Sequence, residues 1–229
     1  MKLTQGVLAS MFCLGLSVPA LAGSFEGVVT MKETFDGETK LQKTYFKGEK
    51  MRGDQEEGEY MVWDASKKQG LMVDSKERTV IVMPWPDVKP VDAKKMFEGT
   101  TVTKTGKSDK ISGYICEIYL SKDQEDNSTS ELCVAKGISN AAMFGIMGGG
   151  PSGLGGYPAW FRDLVKDGGF PLRHIDRDES GTVESRGEAT VEAKRLDESL
   201  FAAPAGYTIT DRATKLKQLG EEMRKRSSR

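Results

Sequence analysis

A single histidine, three cysteines and a near-zero net charge set the first limits on this chain of 229 residues. With His174 as the sole imidazole, a serine or cysteine nucleophile has one base of the usual kind to draw on. Zinc, whose sites are built chiefly from His and Cys, has few of either to choose from. His174 itself lies in Phe170-Pro171-Leu172-Arg173-His174-Ile175, a run that reads as a strand, so it is expected to be a sheet residue. The 33 Lys and Arg against 34 Asp and Glu give no basic field that would draw in nucleic acid. Gly148-Gly149-Gly150-Pro151-Ser152-Gly153 lacks the lysine and the preceding strand of a phosphate-binding loop. No cofactor and no catalytic activity are expected.

Long apolar runs are also missing. The longest, Gly6 to Val18, is shorter than the ~20 residues that a spanning helix needs. It follows Lys2 and precedes Pro19-Ala20-Leu21-Ala22, which makes it the hydrophobic region of a signal peptide cleaved after Ala22. The expectation is a signal peptide over 1–22, one domain over 23–209 and a basic helix or tail over 210–229. The mature protein is then periplasmic, without a transmembrane segment and at most peripheral to the membrane. Cys13 leaves with the signal. Cys116 and Cys133 remain, and in an oxidising compartment they are expected to form a disulfide.

What the chain does have is a series of short Val, Ile, Met, Thr and aromatic runs, separated by Gly, Asp, Lys and Ser, which reads as an antiparallel meander. Strands are expected at 25–31, 41–46, 49–54, 60–63, 70–73, 79–83, 101–107, 111–120 and 130–135, with Asp36-Gly37 as a tight turn. Pro84-Trp85-Pro86 ends one run, and a short helix is expected near 92–97. A helix over 159–166 precedes strands at 170–176 and 182–195, the latter with helix as an alternative. In the tail Arg212, Lys215, Lys217, Arg224, Lys225, Arg226 and Arg229 outnumber Asp211, Glu221 and Glu222. The stripe Leu216, Leu219 and Met223 is expected to dock this segment on the body.

Four blocks then resemble a known family. They are Tyr45-Phe46-Lys47-Gly48-Glu49-Lys50-Met51-Arg52, Val80-Ile81-Val82-Met83-Pro84, Lys107-Ser108-Asp109-Lys110-Ile111-Ser112-Gly113-Tyr114-Ile115-Cys116 and Leu200-Phe201-Ala202-Ala203-Pro204-Ala205-Gly206-Tyr207. In this order they are similar to the bacterial domain of unknown function 4412. The resemblance implies the fold of the periplasmic lipoprotein carriers and sorting proteins: a mainly β, curved antiparallel incomplete barrel with helices across its open mouth. It brings no activity, and the carriers' arginine latch has no assignable counterpart here.

The candidate ligand-binding residues are Met61, Trp63, Met72, Val82 and Met83 on consecutive strands, together with Met143, Phe144, Ile146 and Met147 in the uncharged passage 140–160. Flexible thioethers suit an apolar ligand of variable shape, and a concave sheet must be filled by its own helices or by a guest. The expected partner is a lipid or a lipoprotein acyl group. The alternative is a self-filled barrel that engages another envelope protein. Asp176, Asp178 and Ser180 have the spacing of half a calcium loop, but Gly187 stands where the bidentate glutamate belongs, so the turn reading is preferred. Asn127-Ser128-Thr129 is read as loop.

Overall fold

The computed structural model describes residues 25–55, 58–84, 97–139 and 157–227. The expected signal peptide, the helix near 92–97 (all but Phe97) and the passage 140–156 lie outside them. Twelve strands follow in chain order: β1 Gly27–Phe35, β2 Glu38–Lys47, β3 Lys50–Asp54, β4 Glu59–Asp64, β5 Gln69–Asp74, β6 Thr79–Pro84, β7 Thr100–Ile111, β8 Tyr114–Asp123, β9 Thr129–Ala135, β10 Phe170–Arg177, β11 Val183–Ala193 and β12 Thr208–Asp211. Helix α1 is Ala159–Lys166 and α2 is Arg212–Ser227, and a 3-10 turn spans Glu198–Phe201.

All twelve strands form one sheet in the order β12-β6-β5-β4-β3-β2-β1-β11-β10-β9-β8-β7. It is curved and open, with β12 and β7 at its two edges. Neighbours are antiparallel except β12 and β6, where Thr208–Asp211 runs parallel to Thr79–Val82. Two meanders, β1 to β6 and β7 to β11, are joined where β1 pairs β11 from Gly27 opposite Ala193 to Phe35 opposite Ser185.

Local chemistry places the turns. Asp36 and Gly37 both have positive φ, at 49° and 79°, which gives a two-residue turn whose twist matches its strands. Phe35 therefore pairs Glu38, as the Asp-Gly signal predicts. A second such turn, Ser112-Gly113 at 50° and 87°, corrects the sequence reading. Ser108 to Lys110 are strand residues of β7 rather than the break between strands, and the irregularity falls between Lys104 and Ser108. The run over 182–195 resolves as strand, not helix.

Alternation along each strand sorts the core into two clusters, one per face. On the concave face Val29, Phe46, Ile111, Cys116, Cys133, Phe170 and Leu172 pack together, with Phe25 and Phe170 set edge-on to Phe46 at 6.1 and 5.8 Å. Cys116 and Cys133 are bonded there, with Cα atoms 5.2 Å apart. They are not directly opposite, since Cys116 faces Ala135 and Cys133 faces Ile118, so the bridge runs diagonally across the pair. On the convex face Val28, Tyr60, Val62, Val73 and Val80 pack beneath Leu196 and Phe201 of the segment after β11.

The sheet's curl brings the β7–β8 turn over to β11. The Ser112 hydroxyl donates to the Val191 carbonyl and accepts from the Val191 amide at 3.2 and 2.8 Å, satisfying backbone groups beyond the paired part of β10 and β11. Helix α1 is tied by its C-terminal end to 137–139: the Gly137 amide donates to Asp167, and those of Ile138 and Ser139 to Gly168. Helix α2 packs against β6 and β12. Of the stripe expected to dock it on the body, Leu216 and Met223 are 58% and 65% exposed.

Candidate functional site

Strand register builds the concave face in cross-strand rows. One row runs Phe46, Met51, Trp63, Gly70, Met83, each residue opposite the next. The adjacent row runs Val29, Thr44, Gly53, Met61, Met72, Ile81. Trp63 lies flat over its glycine partner, because a Cβ at Gly70 would stand 2.4 Å from Cζ3 of the indole. The missing side chain makes the room that the ring fills.

Between these rows and β10 is a cleft of about 400 Å³, lined by Val29, Met31, Met51, Met61, Trp63 and Phe170, with Glu33, Gln42, Gln55 and His174 among its polar residues. His174 is a sheet residue, as its sequence context predicts, and its ring rests on Gly187, where a Cβ would be 2.4 Å from Cε1.

Polarity and burial change together along the strands. β1 presents buried Val29, half-buried Met31 and exposed Glu33; β2 buried Phe46, half-buried Thr44 and exposed Gln42. β3 presents Met51, Gly53 and then exposed Gln55, and β4 presents buried Trp63, half-buried Met61 and exposed Glu59. The cleft is thus closed and apolar at one end, open and polar at the other. Glu33, Gln42 and Gln55 also line an adjoining hollow of about 520 Å³ with Lys40, Asp54 and Glu59.

The convex face is finished differently. Segment 195–207 straps across it and is held by polar groups of β2 and β3. Lys47 Nζ donates to the Leu196 carbonyl and lies 3.3 Å from both Glu26 and Glu198. Lys50 pairs Glu198 at 2.5 Å. Arg52 stacks 3.6 Å above the Tyr60 ring, donates to Asp54 at 2.7 Å and reaches the Leu200 carbonyl at 3.4 Å. The Leu196 amide, then Lys47, holds the Glu26 carboxyl below the usual range despite some desolvation, and Lys50 and Lys47 do the same to Glu198. Desolvation works against the Lys47 ammonium, but Glu198 and Glu26 outweigh it and raise its pKa. Two of the sequence blocks quoted above, Tyr45 to Arg52 and Leu200 to Tyr207, are therefore halves of one docking joint.

Of the residues singled out in the sequence, Met61 and Trp63 line the cleft, and Met72 and Met83 share its face by register. Val82 does not. It stands opposite Leu71 on the convex side, because Thr79–Pro84 is apolar on both faces and period two alone assigns the sides. Met143, Phe144, Ile146 and Met147 lie outside the described residues. Met31, Met51 and Phe170 were missed, although the tight turn at Asp36-Gly37 and the two-residue turn at Gly48-Glu49 fix which of their neighbours share a face.

Asp176 and Asp178 are already engaged. The Ser130 and Ser185 hydroxyls both donate to Asp176. Asp178 accepts from the Ser180 and Thr182 amides at 2.9 and 2.8 Å and from the Ser180 hydroxyl at 2.6 Å, which builds the turn. Among the described residues no three His, Cys, Asp or Glu side chains are gathered as a metal site, and no helix is long and apolar enough to cross a membrane.

The fold is similar to that of an uncharacterized conserved protein from Thermus thermophilus, at 14% identity over 82% of this chain and 91% of that one, with a TM-score of 0.46. It is similar to a chain of the Pseudomonas aeruginosa MucA/MucB complex structure, at 14% identity, 82% and 58% coverage and a TM-score of 0.46, so it spans under two thirds of that chain's length. A putative outer membrane lipoprotein-sorting protein domain from Vibrio parahaemolyticus aligns at 11% identity, 78% and 89% coverage and 0.27. No curated protein matches the sequence. Residues 25–207 match the family described as Domain of unknown function (DUF4412), and the chain belongs to that family.

Proposed function

We propose that this is an exported envelope protein that binds an apolar chain, such as the acyl group of a lipid or lipoprotein, against the concave face of its sheet, without catalysing a reaction. The observation that carries the reading is the cleft itself: Met31, Met51, Met61 and Trp63 border an open volume of about 400 Å³. Unbranched thioethers and one broad ring form a wall that can repack around guests of different shape. Support for the compartment comes from the N-terminal sequence and from the Cys116–Cys133 bond, a linkage at home in oxidising surroundings.

The test is displacement of a hydrophobic fluorescent dye by a series of alkyl chains, with native mass spectrometry of protein purified from its own periplasm. Each added methylene is expected to improve binding by ~0.8 kcal/mol, or roughly fourfold, until the cleft is full. Met61→Asp, which places a carboxylate among the methionines, should weaken dye binding by more than about tenfold. Flat chain-length dependence with no copurifying apolar molecule would sink the reading.

A further inference from the structure

The cleft has a direction, and the direction selects a head group. Along four neighbouring strands the concave-face series turns polar at the same side: at Glu33 on β1, Gln42 on β2, Gln55 just past β3 and Glu59 on β4. β5 follows them, with Gly70, Met72 and then Asp74. Along β4 the rim at Glu59 is about 13 Å from Trp63 by strand rise, so a guest that covers the floor must present its end there.

Charge at the rim is unequal. Glu33 and Glu59 form no ion pair among the described residues, whereas Asp74 accepts the Lys76 and Glu77 amides at 2.9 Å in its own turn. Near this end stand Lys40, directly across from Glu33 and engaged by another group, and the His174 ring at the cleft wall. The lysines of the same strands that sit one residue out of phase, Lys32 and Lys43, face the convex side by alternation.

We infer that the preferred guest is a single-chain amphiphile with a cationic head group, its tail over the methionine floor and its head between Glu33 and Glu59. This rests on the binding reading above and adds the polarity of the ligand to it. Complementary charge at an open rim acts through water, so the preference is modest and falls with ionic strength.

The experiment compares three probes of equal chain length, each below its micelle concentration: dodecyltrimethylammonium, dodecyl maltoside and dodecyl sulfate, displacing the same dye from the whole exported protein. At low salt the ammonium probe should displace at about tenfold lower concentration than the sulfate, with the maltoside between. Half-molar sodium chloride should shrink the spread to about twofold. Glu33→Gln with Glu59→Gln should collapse it. Equal binding of all three, or a spread that survives the double substitution, overturns the head-group assignment and leaves the apolar cleft standing. Failure of every probe overturns the binding reading, and this inference with it.

Discussion

On the convex face Tyr45, Lys47 and Arg52 reach over to residues 196–200 and close the surface. On the concave face their sequence neighbours Phe46 and Met51 look into an open cleft. The same two strands thus serve two designs that differ in how polar groups are settled. Outside, each cation finds a carboxylate or a carbonyl on the strap. Inside, the polar groups are moved to the rim and the floor is left to sulfur and aromatic carbon. A surface meant to stay shut gains from specific pairs, whereas one meant to accept a guest gains from flexible, polarizable side chains.

The difference can be broken from either side. Phe201→Ala removes the ring that the strap buries and is expected to cost about 3–5 kcal/mol in urea unfolding, with dye binding unchanged under native conditions. Cys116→Ala with Cys133→Ala should cost ~3 kcal/mol, since the bond closes a loop of 17 residues in sequence separation; equal unfolding midpoints for oxidised and doubly substituted protein would contradict this. Arg52→Lys keeps the charge but loses the planar stack on Tyr60 and the Nε–H bond to Asp54. A loss of about 1–2 kcal/mol is expected, and retention of full stability would make the stack incidental.

The smallest effect is with pH. The lowered carboxyls of Glu26 and Glu198 contribute stability above their ordinary range, and that stability is lost as pH falls through their depressed values. The raised Lys47 ammonium acts in the opposite sense, its contribution present at lower pH and lost only as pH rises through its elevated value. Strap docking should therefore be flat across neutral pH and weaken at both ends. Glu198→Gln should flatten the acid limb of the unfolding midpoint against pH, while Met61→Leu on the other face leaves that limb as it is.

Much of this was legible in the chain. The first meander follows from alternation and from Asp36-Gly37, and Cys116 and Cys133, the pair outside the expected signal peptide, pointed to the bridge. The unreadable parts share a cause. β12 is four residues, Thr208–Asp211, with no run long enough to stand out, and its partner β6 comes from the other end of the domain. Val82 was put on the wrong face because Val80, Ile81, Val82 and Met83 are all apolar, so the strand carries no alternation to read. The strap's role is tertiary as well: Lys47 and Glu198 meet only after the sheet has brought β2 and the segment after β11 together. The cleft was half legible, through Met61, Trp63, Met72 and Met83, and its polar rim needed the register to put Glu33, Gln55 and Glu59 on one side.

The β12–β6 pairing also has a bearing on the order of assembly. Until Thr208–Asp211 is in place, β6 is a bare edge with Val80, Ile81 and Val82 beside unpaired amides and carbonyls, the kind of template to which another chain can add. The strand that caps this edge is the last of the sheet to be made, and long-range pairings form slowly. A chain that stops before Thr208 would keep that edge open for good, and its characteristic failure would be self-association along β6 rather than simple loss of fold.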